Sequence, residues 1–104
     1  MTATEYPFNP DWTVAPAATL REWLAEHHMT SGELAARCFS YAEGHGLAEV
    51  NAAIVAVLNK QPMAEWLPPL LGEVTGARAA FWWNLETIYR DDLAAGRKDV
   101  TGGG

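Results

Sequence analysis

The chain has 104 residues, 49% hydrophobic and 19% charged, a composition that suits one globular domain and excludes two. A formal charge of −6 starts it on the wrong side of zero for nonspecific nucleic-acid affinity, so phosphate binding would need a local basic face. The single cysteine, Cys38, excludes an intrachain disulfide and a thiolate zinc site, and no charged-then-apolar leader or bilayer-length apolar run is present, so a soluble cytoplasmic protein with no membrane partner is expected.

Residues 1–18 contain Pro7, Pro10 and Pro16, which forbid a continuous helix and favour an extended arm. Its apolar residues Tyr6, Phe8, Trp12 and Val14 suit docking on the body. Thr19-Leu20-Arg21-Glu22 is a capping-box pattern and predicts the start of a first helix. That helix turns Leu20, Trp23 and Leu24 inward and ends near His27-His28, where imidazoles suit the negative terminus. A second capping box, Thr30-Ser31-Gly32-Glu33, opens a second helix with Leu34, Ala35 and Cys38 on its inner face, and Met29 is placed to staple onto Leu34.

Phe39 to Gly46 has no helical period and carries two glycines around His45, which predicts a loop. The third helix runs from about Leu47 to Leu58. Leu47, Val50, Ile54, Val57 and Leu58 supply its inner face, and Ala48, Ala52, Ala53, Val55 and Ala56 fill most of the rest. A helix apolar nearly all round is either enclosed by its own fold or meets another chain. Pro62 follows its end. Pro68-Pro69 stand at the start of a fourth helix with Leu67, Leu70, Leu71 and Val74 inward, and Gly76 caps it. The fifth helix runs from about Arg78 to Ala95, stopped by Gly96. Phe81, Leu85 and Ile88 give it one apolar stripe, and Trp82, Leu85, Tyr89 and Leu93 give it another one step round. Arg97 to Gly104 reads as a loose tail. The domain division is therefore an arm over 1–18, a helical domain over 19–96 and a tail over 97–104, with no strand.

Pro10-Asp11-Trp12, Pro16, Thr19-Leu20 with Trp23-Leu24, Met29-Thr30 and Glu33-Leu34-Ala35-Ala36-Arg37 form one set of landmarks. Asn59-Lys60 with Pro62, Thr75-Gly76, Phe81-Trp82, Asn84-Leu85-Glu86 and Tyr89-Arg90 complete it. Together they resemble HigA-type antitoxins, within the broad helix-turn-helix family of phage repressors and Cro proteins. The resemblance implies an all-α, five-helix bundle of the helix-turn-helix repressor type that forms a homodimer and lays its third helix in the major groove of DNA.

The chain departs from that pattern where DNA would be read. The short turn before the third helix is replaced by Phe39 to Gly46. The base-facing positions implied by the family fall at Val50, Ala52, Ala53, Val55 and Ala56. Alanine and valine can touch a thymine methyl but cannot hydrogen-bond a base edge. The expectation is a regulator whose third helix binds a protein, such as a toxin or host factor, through Val50, Ala52, Ala53, Val55 and Ala56, with Trp66 and Trp83 as anchors. The alternative is a DNA-binding repressor in which Arg21, Arg37, Lys60 and Arg78 touch phosphates and Asn51 reads a base. Nothing points to an enzyme, a cofactor or a small-molecule substrate. His27, His28 and His45 lack the spacing of a metal site, Ser31, Ser40 and Cys38 lack a nucleophile's setting, and Asp91-Asp92 reads as a helix surface.

Overall fold

Pro16 opens the first helix. In the computed structural model, which describes residues 12–101, α1 spans Pro16–Glu26 with Ala15 as its extended N-cap. Proline at the first helical position has no N–H to leave unsatisfied and a φ already set for the helix. The expected start at Thr19 is therefore displaced, because Thr19 lies inside a helix already begun and no side chain caps Ala15. Of the expected arm, Tyr6, Phe8, Pro7 and Pro10 lie outside the described residues.

The second helix, α2 (Ser31–Phe39), has both halves of its capping box: the Thr30 hydroxyl accepts from Glu33 N–H, and the Glu33 carboxylate accepts from Thr30 N–H at 2.8 Å. Leu34, Ala35 and Cys38 face inward, where burial pushes the Cys38 thiol up to about 11. Met29 packs against the cluster that contains Leu34.

Helix α3 (Leu47–Leu58) buries Val50, Ile54 and Val57. It ends in a left-handed turn at Lys60, φ 65°, with Lys60 N–H bonded to Val57 O at 3.0 Å and Gln61 N–H to Ala56 O at 2.8 Å. The same device ends α1 at His28, φ 51°, with Met29 N–H bonded to Leu24 O at 2.9 Å. Helix α4 (Leu67–Thr75) stops at Gly76, φ 85°.

Helix α5 (Ala79–Ala94) stops before Gly96, φ 87°. Two stripes competed for its inner face, and that of Trp82, Leu85, Tyr89 and Leu93 turns inward, whereas Phe81 and Ile88 are 43% and 58% exposed. The expectation that Phe81 and Ile88 face the core is thus corrected. Glu86 decides the rotation: it is buried on the inner stripe, accepting from Met63 N–H at 3.2 Å and from Arg90 Nε at 2.8 Å, while Arg90 Nη2 donates to Lys60 O at 2.8 Å. This ties α5 to the α3–α4 connection.

The end of the chain is also corrected. Strand β1 (Trp12–Thr13) pairs in parallel with β2 (Lys98–Asp99), with Trp12 opposite Lys98 and Thr13 opposite Asp99. Thr101 is buried and its hydroxyl accepts from Ala15 N–H. Residues 97–101 are thus part of the folded body, and the fold is all-α apart from this one pair of two-residue strands among the described residues. No described helix is long and apolar enough to cross a membrane.

Candidate functional site

The 40–46 connection does not cover α3. It turns at Gly44, φ 83°, and its far end is pinned sideways, with the His45 ring stacked on Trp66 at 3.9 Å and its Nδ1 3.0 Å from the Glu49 carboxylate. Leu47 (47% exposed), Ala48, Ala52 and Val55 (37% exposed) therefore form an open aliphatic stripe down the outer side of α3. Ala53 and Ala56 are half-buried beside it. At the upper end, Leu47, Ala48 and Asn51 share a cavity of about 330 Å³ with Gly32 and Ala35 of α2.

Val50 does not belong to this surface. It is 0% exposed and shares the inward face with Ile54 and Val57, so its assignment as a contact residue is corrected to the core. Leu47 makes the opposite change, from expected core to exposed apolar residue. Its spacing of four from Asn51 and eight from Val55 is the signal that places it on the outer side.

The two tryptophans lie elsewhere. Trp66, half-buried, stands at the N-cap of α4 under His45, and Trp83, 39% exposed, lines a groove between α4 and α5. The stripe and the tryptophans are separate surfaces.

The basic residues are dispersed. Arg21 Nη2 donates to Leu58 O at 2.8 Å, closing the C-terminal end of α3. Lys60 Nζ lies 3.4 Å from both the Asp99 carboxylate and Thr101 O. Arg37 and Arg78 are exposed, and each lines a cleft shared with Glu73 on the α4 side. Asn51 is half-buried in the α2–α3 cavity. None of these clefts is lined by more than one of the five residues.

A part-buried polar knot closes the two ends of the described chain against α5. Tyr89 Oη donates to Asp99 Oδ2 at 2.6 Å, Thr101 N–H donates to Asp99 Oδ1 at 2.7 Å, and Thr13 Oγ1 donates to Asp92 Oδ2 at 2.8 Å. Burial alone raises the Asp99 carboxyl, but hydrogen bonds from Thr101, Tyr89 and Lys60 outweigh it and hold the group near 2. Burial, then the hydrogen bond to Asp99, pushes Tyr89 up to about 12. Among the described residues no three His, Cys, Asp or Glu side chains come together as a metal site. His27 is stacked on Trp23 at 4.0 Å, on a different tryptophan from the one that holds His45.

Comparison with protein-family models, with curated proteins and with solved structures finds no match for this chain.

Proposed function

We propose that the chain is a cytoplasmic, helix-turn-helix-like regulatory protein whose third helix binds a protein partner, a toxin or a host factor, and does not read DNA. The observation that carries this reading is the uncovered stripe of Leu47, Ala48, Ala52 and Val55, on the element that the resemblance assigns to base recognition. Two further facts support it. Asn51, the base reader of the DNA-binding alternative, is half-buried. Arg21 and Lys60, at the C-terminal end of α3, are already held by bonds within the chain, Lys60 in an ion pair with Asp99.

The test is capture from nuclease-treated lysate with the wild-type chain and with Val55→Asp. Val55 is 37% exposed, so an aspartate there leaves the fold intact, which circular dichroism checks. A defined protein retained by the wild type and lost with Val55→Asp is the expected result. Recovery that disappears with nuclease treatment and is indifferent to Val55→Asp would overturn the proposal.

A further inference from the structure

Away from α3, an open groove of about 500 Å³ lies between α4 and α5, lined by Glu65, Pro68, Pro69, Ala79, Ala80 and Trp83. The volume lies within the range of about 300–1,000 Å³ that ligand pockets occupy. Its chemistry is uneven. Two prolines and two alanines make a rigid apolar floor, the partly exposed indole of Trp83 forms a wall, and Glu65 is the one charged side chain in it.

The Glu65 carboxylate is exposed and has no hydrogen-bond or ion-pair partner among the described residues. Neither nearby arginine lines the groove itself. Arg90, two turns along α5 from Trp83, is bonded to Glu86 and to the Lys60 carbonyl, and Arg78 lies in the adjoining cleft with Glu73. An indole face and an unpaired carboxylate bordering an apolar floor complement a side chain with an aliphatic stem and a cationic head.

The geometry points to a binding site for a basic residue of an extended peptide, with the stem of an arginine or lysine laid along Pro68, Pro69 and Trp83 and its charge beside Glu65. The site is distinct from the α3 stripe and does not depend on the function proposed for it. A peptide is the occupant because the groove is open along its length, continuing past Pro69 and Ala79 into the cleft of Gly72, Gly76 and Arg78, where neighbouring backbone can lie.

The test is an amide and indole N–H NMR titration of the full chain with acetyl-Leu-Arg-amide, acetyl-Leu-norleucine-amide and acetyl-Leu-Glu-amide, each to about 10 mM. The arginine peptide is expected to shift Glu65, Ala79, Ala80 and the Trp83 indole, and to bind at least several-fold tighter than the other two. Glu65→Gln, at an exposed position, is expected to weaken it roughly two- to five-fold, and Trp83→Ala about ten-fold, with the chemical-shift dispersion of both variants showing them folded. Three results overturn the site: no shifts at these residues, equal binding of all three peptides, or affinity unchanged in both variants. A shift set produced equally by free arginine amide and by the peptide would overturn the peptide assignment.

Discussion

The hydroxyl of Thr75 makes three bonds: it donates to Leu71 O at 2.7 Å and accepts, at 3.2 Å each, from Ala77 N–H and from the indole N–H of Trp82. Trp82 is 1% exposed, so its polar edge can be buried only because this acceptor waits for it. Thr75→Val keeps the shape and removes the acceptor, and is expected to cost about 1–3 kcal/mol, read as a lower urea midpoint at unchanged slope. Thr75→Ser retains the bonds and loses only a methyl, about 0.8 kcal/mol. A Thr75→Val variant as stable as Thr75→Ser would show that the indole finds another partner.

Asp99 carries the pH dependence. Its carboxyl is lowered on folding from 3.8 to about 2, so the stabilisation is present above pH 4 and is lost as pH falls towards 2. With 19% of the side chain exposed, its size is at most about 2 kcal/mol, since each tenfold change in proton affinity is worth roughly 1.4 kcal/mol. Asp99→Asn is expected to flatten the acid limb of the stability curve between pH 4 and 2. An unchanged limb would show that Asp99 is not held by Tyr89, Thr101 and Lys60 in solution.

At the scale of elements, helix ends show what local sequence can and cannot convey. Thr30 and Glu33 stand within four consecutive residues, and the box they predict forms. The same pattern at Thr19 and Glu22 misleads because Pro16, three residues earlier, already starts the helix. His28 and Lys60 carry no sign of their left-handed backbone, since nothing in a histidine or lysine demands a positive φ. His28→Gly is expected to stabilise by roughly 0.5–1 kcal/mol, measured as a rise in melting temperature, because glycine adopts that φ without the Cβ clash.

Gly72 is the opposite case. A Cβ there would meet the Ala77 carbonyl oxygen at 2.9 Å and the Ala79 nitrogen at 3.2 Å, both backbone atoms. Gly72→Ala is expected to push α4 away from the turn into α5 and to cost about 1–3 kcal/mol in urea denaturation. The rotation of α5 was only half legible: two apolar stripes were readable, and the choice between them fell to Glu86, whose burial with Arg90 and Met63 is a tertiary fact with no local signal. Strand β2 was invisible for a related reason, since two residues have no period.

At the scale of the molecule, the two ends of the described chain are one structure. Thr101 reaches Ala15 N–H, Val100 N–H reaches Thr13 O at 2.9 Å, and Asp99 reaches Tyr89 and Lys60. Ending the chain at Arg97 would strand the Ala15 N–H and the Tyr89 hydroxyl, both at buried residues, and is expected to cost roughly 2–5 kcal/mol. Full stability of the shortened chain would mean these contacts are spectators.

Among the described residues, the methyl-covered side of α3 is left open to solvent. The most direct measurement is selection of duplexes from a random pool at low salt, followed by affinity measurement on any enriched sequence. The account predicts no enrichment and weak binding, insensitive to Asn51→Ala. A tight, enriched operator whose binding falls with Asn51→Ala would contradict it.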